Sequence, residues 1–88
     1  MNNTVQKETY NGWKNRSTWN VSLWINNEES LYRAAVAYKE RREEQGKQAT
    51  YSGFIRANYM QEEKTPDNIK WISNLLDYPA LNEMIREL

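Results

Sequence analysis

Tyr10, Trp13, Lys14, Arg16, Trp19 and Trp24 put aromatic rings beside cations in one short stretch of the chain. Those residue types can stack on bases and touch phosphates. They are equally the types that dominate protein–protein hot spots. A second candidate is the mixed-charge run Lys39, Glu40, Arg41, Arg42, Glu43 and Glu44. Acids surround its two arginines, which suits a charged protein interface or a solvated helix better than a phosphate groove. Together with Trp13, Lys14 and Arg16, these six residues form the candidate partner-binding set. Trp19 and Trp24 read as core, whereas Trp13 is either a staple over a helix entry or an exposed anchor.

Enzymatic chemistry finds little to work with. The chain has no His and no Cys, so the commonest general base, thiolate nucleophiles and Cys-based zinc sites are all missing. Ser17, Ser22, Ser30, Ser52 and Ser73 have no His to activate them. The pairs Glu28/Glu29, Glu43/Glu44 and Glu62/Glu63 are sequence neighbours. Adjacent residues on a helix point apart, so such pairs share no site and read as solvated faces. Three isolated glycines build no phosphate-cradling loop. No catalytic residue, metal or cofactor is expected.

Composition sets the scale of the fold. At 88 residues the chain suffices for one domain. Four Trp, six Tyr and one Phe can anchor a small core, since a buried aromatic removes roughly 150–250 Å² from water. Twelve basic residues balance twelve acidic ones, so there is no global attraction to nucleic acid or to an anionic membrane. No apolar run approaches the roughly 20 residues a spanning helix needs. These features lead to the expectation of a soluble, cytoplasmic protein.

The elements that must position the aromatic and charged residues read as helices. Residues 1–9 are polar and are expected to form a flexible tail, with one helical domain over 10–88. Asn11-Gly12 marks a turn. Ser17 or Thr18 is expected to cap a first helix carrying Trp19, Val21, Leu23, Trp24 and Ile25. Asn26-Asn27 should end it in the left-handed region and cap the next. Leu31, Ala34, Ala35 and Tyr38 share a helical face, supported by Glu29–Arg33 and Lys39–Glu43 pairs, and Gly46 is a stop. Tyr51 to Met60 repeats helical spacing, although Gly53 weakens it by up to about 1 kcal/mol relative to Ala. Thr65-Pro66-Asp67 predicts a helix start, followed by Ile69, Ile72, Leu75 and Leu76. A final helix enters at Asp77 and Pro79, with Leu81, Met84, Ile85 and Leu88 in the most regular stripe of the chain. The fold class is therefore all-α, a compact single domain of four to five short helices.

The run from Tyr10 to Tyr32, YNGWKNRSTWNVSLWINNEESLY, resembles the signature of a family of short proteins encoded by phages, plasmids and integrated elements. Their pattern is similar to YNGWxNxxTWNVxLWxxNxExLY, and the likeness covers about a quarter of the chain. The resemblance brings no catalytic residues to transfer. It implies a setting: a small accessory protein of a mobile element, acting in the bacterial host cytoplasm. Inhibition of a host defence complex, in the manner of an anti-CRISPR protein, is a role consistent with that setting.

The residues lead to the expectation of a non-enzymatic binding protein; the resemblance implies that it blocks a host protein complex, with a CRISPR effector among the partners it would allow. The alternative is a small nucleic-acid-binding regulator using the aromatic-basic segment. Self-association into a homodimer through the N-terminal tryptophans is a third option. No membrane partner is expected.

Overall fold

The computed structural model describes residues 10–88; the tail expected over 1–9 lies outside the described residues. The chain turns first at Tyr10–Trp13, where the Trp13 N–H donates to the Tyr10 carbonyl at 3.0 Å. Asn11 and Gly12 stand at φ 54° and 90°. Positive φ at both central residues is what Asn-Gly accommodates at little cost.

Four helices follow: α1 Arg16–Asn27, α2 Glu29–Glu44, α3 Tyr51–Ala57 and α4 Tyr78–Arg86. Among the described residues there is no extended strand, only two isolated bridges, and the architecture is all-α. No helix among them is long and apolar enough to cross a membrane. α1 packs against α2 and α4, while α3 packs against the same two helices.

α1 begins earlier than Ser17 or Thr18. Asn15 caps it, its side-chain oxygen accepting from the Thr18 N–H at 2.9 Å. This frees Thr18 for a tertiary role: its buried hydroxyl accepts from the Asp77 N–H at 3.0 Å. Of the two tryptophans expected in the core, both are half-buried; Trp24 packs against the core from its edge. The inward stripe is Thr18, Val21, Ser22 and Ile25, with Asn20 beside it. That stripe has the i, i+3, i+4, i+7 spacing of a packed face, but half of it is polar. Apolar periodicity therefore finds Val21 and Ile25 but not the polar half of the stripe.

Glu28, and not an asparagine, makes the corner between α1 and α2. Its N–H donates to the Trp24 carbonyl, closing α1, and its carboxylate accepts from the Leu31 N–H at 2.9 Å, opening α2. The Ser30 hydroxyl donates to the same carboxylate, and both bonds hold Glu28 below the usual carboxylate range. α2 buries Ala35 and Tyr38, is capped by Gln45 and is followed by Gly46 at φ 71°. The Gly46 N–H reaches the Glu43 carbonyl and the Lys47 N–H reaches that of Arg42, the double closure of a Schellman motif.

α3 is capped by Thr50 and ends at Ala57, shorter than the spacing up to Met60 implied. It buries Tyr51, Phe54 and Ile55, and full burial of a side chain such as Phe54 or Ile55 contributes roughly 1.5–3 kcal/mol. Its first N–H, that of Tyr51, donates to the Asn82 side chain on α4 at 2.8 Å.

The helix expected from Thr65-Pro66-Asp67 does not form. Asn68 takes φ 70°, which breaks the helix one residue after the acid. The Thr65 hydroxyl accepts from the Asp67 and Ile69 N–H groups, and the Thr65 N–H returns to the Ile69 carbonyl at 2.7 Å. These bonds make a tight turn flanked by an antiparallel bridge between Lys64 and Lys70. The Trp71 N–H extends it, donating to the Glu63 carbonyl at 3.1 Å. This irregular segment supplies the buried tryptophan, since Trp71 is 3% exposed. Tyr51 donates to the Trp71 carbonyl at 2.6 Å, and burial pushes the phenol well above its ordinary range. α4 follows as its pattern predicts: Asp77 caps it, Pro79 lies in its first turn, and Leu81 and Ile85 are buried.

Candidate functional site

Two groupings of polar and aromatic side chains arise from this packing. The first joins α1 to the irregular segment. The Asn20 amide donates to Asp67 at 2.8 Å, the Trp24 indole N–H donates to the same oxygen at 2.9 Å, and the Thr65 hydroxyl donates to the Asn20 carbonyl oxygen at 2.7 Å. The Asn15 amide adds a bond to the Leu75 carbonyl at 2.8 Å. Asn20 foremost, then Trp24, hold the Asp67 carboxyl below its ordinary range, and the nearby Arg16 adds to the effect. Each buried member has a partner, as a stable polar network requires. Its geometry ties α1 to the irregular segment, with Asn20 and Thr65 buried and the Asp67 carboxylate at the surface.

The second grouping is a surface cleft of about 500 Å³ between the N-terminal turn, the end of α1 and one flank of α4. Trp13, Met84 and Leu88 supply apolar walls, and all three also pack against the core. Asn26 donates to the Met84 sulfur at 3.3 Å, joining the two sides. Glu83 and Glu87, one helical turn apart, edge the cleft, and no Lys or Arg lines it. Among the described residues neither acid forms an ion pair.

The candidate partner-binding residues distribute unevenly over these features. Trp13 is half-buried in the cleft wall and packs against the core. Lys14 and Arg16 are exposed beside it in sequence. Lys39 is largely occupied: it donates to the Leu88 carbonyl at 2.7 Å and approaches Glu43 at 3.8 Å. Arg42 donates to the Gln48 carbonyl at 3.3 Å. Glu40, Arg41, Glu43 and Glu44 are exposed on the last turns of α2. No hydrogen bond or ion pair among the described residues links the α2 set to Trp13, Lys14 or Arg16.

Sequence reasoning missed the α4 side of the cleft. The signal was present in Ala80, Glu83 and Glu87, the face of α4 adjoining its regular apolar stripe, but nothing local says that this face meets the Asn11-Gly12 turn. It also missed Asn20, Thr65 and Asp67, because a buried polar network leaves no periodic mark. Among the described residues no three His, Cys, Asp or Glu side chains converge as a metal site.

No curated protein and no solved structure matches the chain. A family model matches residues 6–88, nearly the whole length, and the chain thus belongs to the family of unknown function DUF7249.

Proposed function

We propose that the protein is a non-enzymatic binding module of a phage or mobile element. It works in the bacterial cytoplasm by occupying a surface of a host protein assembly, a CRISPR effector being one such target, and blocks it sterically. The observation that carries this reading is the cleft formed by Trp13, Met84 and Leu88 with Glu83 and Glu87 at its edge. Apolar walls with an uncompensated acidic rim suit a protein segment that presents an apolar side chain next to a Lys or Arg. The likeness of residues 10–32 to proteins of mobile elements supplies the setting.

The test is affinity capture from a nuclease-treated bacterial lysate with the parent chain and with Glu83→Lys/Glu87→Lys. These side chains are exposed, so the substitutions spare the core. A partner retained by the parent and lost by the charge-reversed variant, with helix content unchanged by circular dichroism, supports the reading. Equal capture by both removes the cleft as the interface.

The aromatic-basic segment supports nucleic-acid binding less well. Tyr10 and Trp19 pack on each other at 5.8 Å between ring centroids, and the Trp24 N–H is engaged by Asp67. Lys14 and Arg16 remain exposed, but the neighbouring rings are half-buried and are poor stacking platforms.

A further inference from the structure

The bridge between Lys64 and Lys70 sets two like charges against each other. Directly opposed residues of an antiparallel pair project to the same face, and like charges there are destabilising. Neither lysine forms an ion pair among the described residues. Both line a depression of about 200 Å³, together with Ser17, Asn68, Ser73, Ile69 and Leu75. The two hydroxyls and the Asn68 amide offer neutral hydrogen-bond donors in the same depression. Ser73 accepts from the Leu75 N–H through its side-chain oxygen, which leaves its own proton available. Ser17 lies in the first turn of α1, which holds no acidic residue. The partial positive charge of that helix end adds to the field of the lysines. Asp67, the acid of this turn, is engaged by Asn20 and Trp24. Leu75 stands 63% exposed at the rim, an apolar side chain without cover.

The geometry points to a binding site for an organic phosphate ester, its phosphate held between Lys64 and Lys70 and its organic part laid on Leu75 and Ile69. The site shares no residue with the cleft of the preceding section and does not depend on the function assigned to it. An anion there relieves the lysine repulsion that the folded chain otherwise bears.

The test is a heteronuclear NMR titration of the full chain with inorganic phosphate, adenosine monophosphate and a short oligothymidylate, each against chloride at equal ionic strength. Adenosine monophosphate is expected to move the amides of Ser17, Lys64, Lys70 and Leu75, and to bind more tightly than inorganic phosphate, which has no organic part. Lys64→Gln and Lys70→Gln should each weaken it by about tenfold, the loss of one charge-assisted hydrogen bond. Lys70→Arg should retain binding. Tighter, steeply salt-dependent binding of the oligothymidylate identifies the ester as nucleic-acid backbone, whereas equal binding identifies a free phosphorylated metabolite. The site is overturned if the glutamine variants bind within twofold of the parent, or if phosphate compounds shift these amides no more than chloride does.

Discussion

Asn20 on α1 donates its side-chain amide to the carboxylate of Asp67 at 2.8 Å, across 47 residues of chain. Asn20 is 1% exposed, and its carbonyl oxygen accepts from Thr65, so both ends of one buried amide fasten the irregular segment to the helix. Removing it strands a hydroxyl and withdraws a donor from a carboxylate. Asn20→Ala should therefore cost about 2–3 kcal/mol. For a domain of this size that lowers the melting temperature by roughly 10–20 °C. A thermal melt within about 2 °C of the parent would show that the network contributes little.

The same bonds set a pH dependence. The folded-state pKa of Asp67 is lowered from its ordinary value of 3.8, first by Asn20 and then by Trp24. A group depressed in the folded state stabilises above its unfolded pKa, and that contribution is lost as pH falls through the folded value. The stability gap between the parent and Asp67→Asn should be constant near neutrality and shrink only below about pH 4. The Trp24 indole proton, bonded to Asp67, is a direct NMR reporter of this titration. A midpoint at or above the ordinary carboxylate value would contradict the assignment.

The network also explains what the sequence could and could not convey. α4 was legible because its signals are local: Asp77 as cap, Pro79 in the first turn, and an apolar stripe through Leu81 and Ile85. The Asn11-Gly12 turn was legible for the same reason. Thr65-Pro66-Asp67 carries equally good helix-start chemistry, yet Thr65 and Asp67 are drawn into bonds with Asn20 and Trp24, and Asn68 turns left-handed. Tertiary partners outweighed propensity, as they can whenever a capping side chain has a competing acceptor or donor. The candidate site was half legible. Trp13 announces itself by type, but the apposition of Glu83 and Met84 to it depends on how α1 and α4 pack. Lys39 and Arg42 of the α2 set also donate to the Leu88 and Gln48 carbonyls, long-range and loop partners that the local sequence does not announce.

Gly53 provides a case where helix propensity gives the wrong sign. Ala in place of Gly normally stabilises a helix interior by up to about 1 kcal/mol. At Gly53, however, an added Cβ would collide with the Tyr38 hydroxyl and stand 2.8 Å from the Thr50 side-chain oxygen. The Thr50 oxygen is fixed by its capping bond to the Gly53 N–H at 3.1 Å, and Tyr38 is buried against Phe54. Neither neighbour can retreat without loosening the cap or the core. Gly53→Ala should therefore destabilise the chain by about 1–3 kcal/mol, as overpacking does. Chemical denaturation would reveal an unchanged or raised midpoint if Tyr38 can move aside.

Tyr59 gives the opposite case, a residue whose removal should stabilise. It closes α3 at φ 58°, its N–H reaching the Arg56 carbonyl at 3.1 Å while the Met60 N–H reaches Ile55 at 3.0 Å. This is the helix ending at which Gly is favoured, and a Cβ there costs roughly 1–2 kcal/mol. The side chain is 82% exposed and returns little packing energy. Gly regains the strain but carries greater conformational freedom in the unfolded chain, a cost of about 0.5–1 kcal/mol. The balance favours Tyr59→Gly by about 0.5–1 kcal/mol, a rise of a few degrees in melting temperature. Tyr59→Ala keeps the Cβ and should gain nothing, which separates backbone strain from any effect of the ring. Equal melting temperatures for the glycine and alanine variants would assign the effect to the exposed phenol instead.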